Sequence, residues 1–355
     1  MKTAFIFDTV WQLSLAEIIS YLKRARVEWT FVDLTKNALV IDAEINADEA
    51  IDSLGGTLKI AEITKEFEFK KIENTDFENH VDEPISFYGS HELFKAVKKK
   101  FPGITPSGVI SPKDMKTKRK YKSENILIFG LKNCYFGPTV AVQPFITKYD
   151  DHEPFKTEDL PASRAMMLIN LAQAGENVFI PNAALGAVGC GAAMLNIKRI
   201  SLEENDKIKL AKAKNNVIKY GGLKVKAERD VSERGFHSAA CVLPAGPDVR
   251  ERIPKKDAED ILRFVRKEQK ATFERVVSHC PDGATFACVF PVFNSFSGKI
   301  FAGKYFDGVR MVDPFERIPD EYRKYFKIER KMTVDEEPGR RYVKLREFCV
   351  YVVKR

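Results

Sequence analysis

From Leu160 to the end of the chain, short apolar runs alternate with segments of helical periodicity. The first helix, "LPASRAMMLINLAQAG", ends at Gly175. The strands predicted after it are Val178–Ile180, Arg199–Leu202, "GLKVKAE", "HSAACVLP", "GATFACVFPVF" and "YVKLREFCVYVV". Helices are predicted between them at Ala187–Leu195, Lys207–Ile218 and "KKDAEDILRFVRKEQKATFERVVSHC". This alternation predicts a doubly wound, largely parallel sheet with a terminal antiparallel hairpin.

The first 75 residues predict a smaller α+β unit. "TAFIFDTV" is typical of a strand, and "SLAEIISYLKRARV" is typical of a helix with Ser14 as a candidate N-cap. Two strands about a turn at Lys36–Asn37, a second helix and a last strand follow. The order β-α-β-β-α-β favours a ferredoxin-like unit.

Residues 76–155 carry a concentration of lysine. A strand at Pro84–Ser90 precedes the basic helix "HELFKAVKKKF" and the run "SPKDMKTKRKYKSEN". Such runs are either solvated loops or phosphate-contacting patches. The candidate RNA-binding residues are Lys98, Lys99, Lys100, Lys116, Lys118, Arg119 and Lys120. We therefore predict three domains, over residues 1–75, 76–155 and 156–355.

The overall charge suits a polyanionic partner. Lysine and arginine total 58 against 50 acidic residues, which gives a net charge of +8. Six scattered cysteines and five histidines lack ligand spacing, so we expect buried thiols, a reducing cytoplasmic location and no metal site. No apolar run approaches the roughly 18–20 residues of a membrane span, and we expect no membrane partner.

The segment "GENVFIPNAALGAVGCGAAM" has the form of a cofactor-binding turn without its usual residues. An apolar strand leads through a turn into a helix of small residues. A nucleotide or S-adenosylmethionine site has an acidic residue and glycines at such a turn, because glycine lets the backbone approach the ligand. Here Ile180, Asn182, Ala183, Ala184 and Leu185 occupy it.

Several motifs, taken in order along nearly the whole chain, resemble those of the THUMP-containing tRNA guanine-N2 methyltransferases. They are "ISFYG" (85–89), "FGPTVAVQPFITKYDD" (136–151), "LPASRAMMLINLA" (160–172), "FPVF" (290–293) and "GRRYVKLREFCVYV" (339–352). The resemblance implies an α/β protein. Its parts would be an N-terminal ferredoxin-like plus THUMP-like α+β region and a Rossmann-like, seven-stranded methyltransferase domain.

Against the family's cofactor turn, V-L-D-P-F-C-G-S-G-T, this chain keeps Val178, Pro181 and Gly186. The family's acid falls on Ile180 and its first glycine on Ala184. At the next strand end, Glu203 or Glu204 stands where the resemblance implies a ribose-binding carboxylate. The alternative interpretation is a solvated pair that caps the following helix.

The family's catalytic turn, D-x-P-Y, is changed as well. Its acid falls on Val242, its proline on Pro244 and its tyrosine on Ala245. In the family the carboxylate and backbone carbonyls accept hydrogens from the target amine, and the ring stacks on the flipped base. No proton acceptor and no stacking ring remain on these side chains.

These replacements predict an RNA-binding pseudo-methyltransferase that takes no cofactor and keeps the fold without the chemistry. Its expected partner is structured RNA, with tRNA favoured by the resemblance. An active methyltransferase subunit or the ribosome is a further candidate partner. One alternative is a working tRNA guanine-N2 methyltransferase that uses S-adenosylmethionine at a divergent site. Another is a structural or assembly protein of a ribonucleoprotein or of the ribosome.

Overall fold

The computed structural model describes residues 1–8, 10–68, 85–89, 94–95, 97–98, 104–106, 124–143, 149–158, 160–247, 252–301, 306–335 and 345–354. They form two compact units, and each unit contains one nine-stranded sheet. The first unit comprises Met1–Ile18, Ala25–Phe145 and Arg317–Lys327. The second comprises Ile19–Arg24, Ile146–Glu316 and Ile328–Arg355.

The sheet of the first unit is mainly antiparallel. Its strands are β1 (Lys2–Phe7), β2 (Thr30–Leu34), β3 (Ala38–Asp42), β4 (Thr57–Glu62), β5 (Lys65–Glu68), β6 (Ile85–Tyr88), β7 (Ile104–Pro106), β8 (Asn125–Phe129) and β9 (Asn133–Val142). Their order is β2-β3-β1-β4-β9-β8-β6-β7, with β5 paired to β9. Only the β6–β7 and β6–β8 pairs are parallel among the described strands.

The first 62 residues fold as the sequence predicts. Helix α1 (Trp11–Arg24) joins β1 to β2, and helix α2 (Ala47–Ser53) joins β3 to β4. The four strands pair antiparallel in the order β2-β3-β1-β4, which is a ferredoxin-like arrangement. The prediction for Ser14 is wrong: α1 begins three residues earlier, and the Ser14 hydroxyl donates to the Val10 carbonyl (3.4 Å) inside the helix.

The sheet of the second unit is Rossmann-like. Its strands are β10 (Asn177–Pro181), β11 (Arg199–Glu203), β12 (Lys224–Glu228), β13 (Ser238–Val242), β14 (Thr285–Ser295), β15 (Gly298–Phe301), β16 (Val309–Met311), β17 (Met332–Asp335) and β18 (Leu345–Val353). Seven of them follow the order β12-β11-β10-β13-β14-β18-β16. The strands from β12 to β14 are parallel, and β18 is antiparallel to both its neighbours.

The described helices of the remaining chain are α3 (Glu153–Thr157), α4 (Ala162–Leu171), α5 (Ala187–Met194), α6 (Lys207–Lys219), α7 (Lys255–His279) and α8 (Asp320–Phe326). Phe273 of α7 packs on Phe286 and Tyr351 in the core of the second unit. The α/β class, the alternation after Leu160 and the antiparallel end of the sheet are therefore confirmed. The division into three domains stays a prediction.

All six cysteines are buried, and none of them forms a disulfide among the described residues. Among the described residues, no helix combines the length and the apolar character that crossing a membrane requires.

Residues Arg317–Lys327 fold with the first unit although they lie late in the chain. The Arg317 guanidinium sits 4.2 Å from the ring centroid of Trp29 and donates to the Trp29 carbonyl (2.7 Å). Tyr322 packs edge-on against Phe31 (4.7 Å between centroids). The segment thus supplies aromatic and charged contacts that residues 1–145 lack by themselves.

Replacing Arg317 with alanine is expected to destabilise the first unit by about 1 kcal/mol, because one cation–π contact and one hydrogen bond are lost. Both tryptophans of the chain, Trp11 and Trp29, lie in this unit, so their fluorescence during urea unfolding reports it. Lys324→Ala, at an exposed position of α8, is the control and should change stability by less than about 0.5 kcal/mol. Equal effects of the two variants would contradict the assigned role of Arg317.

Candidate functional site

The strand order reverses between β10 and β13, and in open α/β sheets ligands bind beyond the carboxyl ends of strands at such a point. Four segments end there: the turn after β10, the end of β11, the segment after β12 and the turn after β13. The predicted cofactor and catalytic positions all lie on these segments. The structure therefore brings them to one edge of one sheet.

The turn between β10 and α5 keeps the backbone shape of a ligand-binding turn. Asn182 and Ala184 have φ of 56° and 47°, and Gly186, which precedes the first residue of α5, has φ of 93°. Positive φ is favoured by glycine and costs an alanine roughly 1 kcal/mol. A Cβ on Gly186 would also lie 3.0 Å from the Ala213 carbonyl oxygen. The left-handed turn is thus retained at Ala184 without its glycine.

Every backbone N–H from Ala183 to Ala187 has an acceptor within the chain. Ala183 donates to the Glu203 carbonyl (2.8 Å), and Gly186 donates to the Ala183 carbonyl (2.7 Å). The Ala184 N–H donates to Glu204 Oε2 (3.0 Å). Buried N–H groups at such a turn normally bind either the chain or an anionic ligand. Since all five N–H groups already have an acceptor in the chain, an anionic ligand could bind them only by displacing one of these acceptors.

Glu158 is the acceptor for the other two N–H groups. Its Oε1 atom accepts from Leu185 (2.7 Å) and from Ala187 (3.1 Å) at the start of α5. Burial raises the pKa of the Glu158 carboxyl to about 7, against the lowering effect of these N–H groups and of the Arg346 guanidinium. Arg346 also donates to the Glu158 carbonyl (3.0 Å). A carboxylate of the chain itself thus lies where helix α5 would otherwise present N–H groups to an anion.

The Ile180 side chain does not line an opening at this turn. It is buried, and its Cδ1 atom lies 3.8 Å from the position of a Cβ on Gly189, in helix α5. Pro181 is also buried, whereas Asn182 is half-buried and donates to Thr272 Oγ1 of α7 (2.6 Å). The position of the family's acid has become part of the packing between β10 and α5.

Glu203 is buried at the end of β11 and is paired. Its side chain is 5% exposed, and its Oε1 lies 2.5 Å from Nε of Arg275, in an ion pair not aligned as a hydrogen bond. Its Oε2 accepts from the Val231 N–H (3.2 Å), and Arg275 also binds Asp230 (2.9 Å). The alternative of a solvated, capping pair is wrong for Glu203. The N-cap of α6 is Asp206, which accepts from Ile208 and Lys209.

Helix α7 also contacts the turn after β13. The Pro244 carbonyl accepts from Gln269 Nε2 (2.9 Å). Val242 is half-buried and Ala245 is exposed, and neither side chain can accept a proton. The catalytic turn of the family uses backbone carbonyls as acceptors, and in this chain the Pro244 carbonyl already accepts from Gln269.

One stripe of helix α7 meets all four segments. Gln269, Thr272, Arg275 and His279 recur at intervals of three, three and four residues, which places them on one side of a helix. They contact Pro244, Asn182, Glu203 and Val231 respectively, the last through His279 Nε2 at 2.6 Å from the Val231 carbonyl oxygen. These four polar groups at the edge of the sheet are therefore bound from within the chain.

The sequence interpretation missed Glu158 and the α7 stripe. A signal for the stripe is present, because Gln269, Thr272 and His279 are buried polar residues among the apolar positions Val265, Phe273 and Val276. Buried polar side chains of a helix need partners. Their identity depends on the rotation of the helix against the sheet. For Glu158, 27 residues before Leu185, the sequence carries no comparable signal.

Among the predicted RNA-binding residues, the structure places Lys98 alone, with its ammonium 5.4 Å from the ring centroid of Phe94. Lys99, Lys100, Lys116, Lys118, Arg119 and Lys120 lie outside the described residues. Their assignment stays a prediction.

The sequence matches no protein-family model and no curated protein. Solved structures are similar in fold. TrmN from Thermus thermophilus has a TM-score of 0.50 at 10% identity, over 99% of both chains. A protein described as "a possible methylase" from Clostridium difficile 630 has a TM-score of 0.48 at 10% identity, over 100% of this chain and 98% of that one. The N-methyltransferase NodS from Bradyrhizobium japonicum WM9, in complex with S-adenosyl-l-homocysteine (SAH), has a TM-score of 0.34 at 8% identity, over 59% and 91%.

The likeness to TrmN extends along the whole chain and shows a shared fold. Together with the strand order, it shows that this chain shares the fold of TrmN and that its second unit is Rossmann-like.

Proposed function

We propose that this chain is an RNA-binding, non-catalytic member of the methyltransferase-fold proteins, and that its RNA partner is tRNA. The observation that carries the proposal is the internal occupation of the site. Glu158 and the α7 stripe bind the polar groups that a cofactor and a target base would need. A carboxylate of this chain stands at the start of α5, and an arginine holds the ribose-position carboxylate.

The residues present do not fit S-adenosylmethionine as they stand. A cofactor carboxylate would have to displace Glu158 from two N–H groups, and ribose hydroxyls would have to displace Arg275 from Glu203. Displacing Arg275 would leave the buried Glu203 carboxylate without its cation, which is costly. Displacing Glu158 would break two hydrogen bonds from backbone N–H groups. The absence of a proton acceptor at Val242 and Ala245 points the same way.

The RNA part of the proposal rests on charge and on the family resemblance. The net charge is +8, and the helices of the second unit expose lysines that make no ion pair among the described residues. Phosphate contacts of this kind give an affinity that falls steeply with salt. Both the charge and the resemblance agree with a relative of the tRNA guanine-N2 methyltransferases that binds RNA but does not transfer a methyl group.

A second candidate is a working methyltransferase that uses a divergent site. The retained carboxylate of Glu203 at the end of β11 favours it, since a carboxylate there could bind a ribose. This candidate requires Arg275 and Glu158 to move aside when cofactor binds.

The test is a thermal shift with SAH together with transfer of a labelled methyl group from S-adenosylmethionine to bulk tRNA. We expect no saturable stabilisation, whereas a ligand at 100 times its Kd would stabilise by about 2.7 kcal/mol. We expect no transfer of label. Saturable stabilisation with transfer would establish the second candidate. Failure of the protein to bind tRNA at low salt would leave a structural or assembly role.

A further inference from the structure

Helix α6 exposes a basic face to solvent. Its 13 residues, "KIKLAKAKNNVIK", contain five lysines and no acidic residue. Leu210, Ala213, Asn216 and Val217 form its buried side. All five lysines are exposed, so the charge of the helix is accessible to solvent.

The exposed face has a regular layout. At 3.6 residues per turn, Lys207 and Lys214 lie along one border, and Lys212 and Lys219 lie along the other. Each pair is seven residues apart, which is roughly 10 Å along the helix axis. Between the two borders lie Ile208, Ala211, Asn215 and Ile218. We call these two lysine borders and the residues between them the α6 face.

Most of the α6 face is not neutralised by the rest of the chain. Lys212 pairs with Glu153 (3.1 Å), but Lys207, Lys214 and Lys219 make no ion pair with any described residue. By contrast, Lys255, Arg263 and Lys270 of α7 each pair with an acid on the same helix, namely Glu259, Asp260 and Glu274. The two helices differ in their acids: α6 carries five lysines and no acidic residue, whereas α7 carries five acidic residues against seven lysines and arginines.

The apolar residues of the α6 face are too few for a membrane or for a groove of a partner protein. Ile208 is 72% exposed and Ile218 is 50% exposed, with Ala211 and Asn215 between them. A membrane-binding helix buries a continuous apolar face, and a groove-binding helix presents large apolar anchors at successive turns. Here the large apolar residues Leu210 and Val217 pack inside the second unit.

We infer that the α6 face is an RNA-binding surface of the second unit, in which the two lysine borders contact phosphates of a structured RNA. The inference rests on the proposed RNA-binding function and adds a surface that the lysine-rich region of residues 98–120 does not include. A-form RNA presents a wide, shallow minor groove lined by phosphates and 2′-hydroxyls. The side chains between the two borders are shorter than lysine, so the lysine ammonium groups can reach phosphates on both sides of such a groove.

The experiment compares two triple charge reversals in the full chain, with bulk tRNA as the probe and fluorescence anisotropy at 50 and 200 mM salt. The α6 variant carries Lys207→Glu, Lys214→Glu and Lys219→Glu. The control carries Lys255→Glu, Arg263→Glu and Lys270→Glu and has the same net charge. We expect the α6 variant to bind at least about tenfold more weakly at 50 mM salt. The slope of log affinity against log salt should fall in magnitude by about 2–3. The control should stay within about threefold of wild type.

Three results would overturn the inference while leaving the proposed function in place. They are wild-type binding by the α6 variant, equal weakening in both variants, or weakening in the α7 control alone, which would place the RNA on α7. A wild-type chain that does not bind tRNA would instead remove the proposed function and the inference together. A second α6 variant with glutamine at the three positions removes the positive charges without adding negative ones. If the glutamate variant does not fold, the glutamine variant is measured in its place, and it should also bind tRNA more weakly than the wild-type chain.

Discussion

Replacing Arg275 with methionine is expected to lower the free energy of unfolding of the second unit by about 3 kcal/mol at neutral pH. The change removes the cation that faces the buried Glu203 carboxylate and leaves that carboxylate with the Val231 N–H. Breaking a buried ion pair costs about 3–5 kcal/mol, and we take the lower end because the Arg275 side chain is 35% exposed. Hydrogen exchange of β10 and β11 during urea titration measures the effect in this unit.

The same experiment has an internal rescue. Glu203→Gln removes the buried charge, so the double variant Arg275→Met with Glu203→Gln should recover most of the lost stability. Arg263→Met is the matched control on the same helix, because its pair with Asp260 is exposed and is expected to be worth less than about 1 kcal/mol. A loss of stability in the double variant as large as in Arg275→Met would mean that the guanidinium acts through packing alone.

Raising the pH from about 5 to about 7 is expected to destabilise the second unit through Glu158. The pKa of this carboxyl is raised from 4.5 to about 7 in the folded chain, mainly by burial. Between these values the folded chain holds a proton that the unfolded chain has released, so stability falls as pH rises. The slope is at most about 1.4 kcal/mol per pH unit, and it vanishes above the folded pKa.

Glu158→Gln should abolish this contribution to the slope, because glutamine stays neutral while its side-chain oxygen still accepts from Leu185 and Ala187. Unfolding by urea at pH 5, 6, 7 and 8, followed by hydrogen exchange of α5, measures the difference between the two chains. Glu153→Gln, at the start of α3, the helix that ends just before Glu158, is the control, since this carboxylate is exposed and pairs with Lys212 at the surface. Equal pH profiles for wild type and Glu158→Gln would show that Glu158 does not titrate in this range.

The Arg275 and Glu158 predictions both concern the candidate site beyond the carboxyl ends of β10 and β11. Arg275 holds the end of β11, and Glu158 holds the turn after β10. If the Arg275 contribution is as large as expected, a cofactor that displaced Arg275 from Glu203 would have to offset about 3 kcal/mol before any net binding, and it would also have to replace the two N–H hydrogen bonds of Glu158. This is the energetic reason for expecting no saturable shift with SAH.

Much of this architecture follows from the sequence by itself. The periodicity after Leu160 is sufficient to predict the parallel strands and the helices between them, because helix and strand formation depend on the spacing of apolar residues over a few turns. The apolar side chains of Ile180 and Ala245, where the family resemblance implies an acid and a tyrosine, can also be read directly from the chain. These are local properties, and the bounds of β10, α5 and α6 differ by one or two residues from the prediction.

The tertiary structure alone decided what occupies the emptied site. Glu158 reaches Leu185 across 27 residues of sequence, and Arg275 reaches Glu203 across 72, so neither contact leaves a periodic signal. Whether Gln269 and Thr272 face the sheet or the solvent depends on the rotation of α7, which Phe273 and Val276 fix by packing into the core. The sequence determined that Ile180, Val242 and Ala245 carry apolar side chains where the family resemblance implies two acids and a tyrosine. The fold determined that the N–H groups from Ala183 to Ala187 and the carbonyls of Pro244 and Val231 are bound by the chain itself, because buried polar groups must find partners wherever the packing brings them.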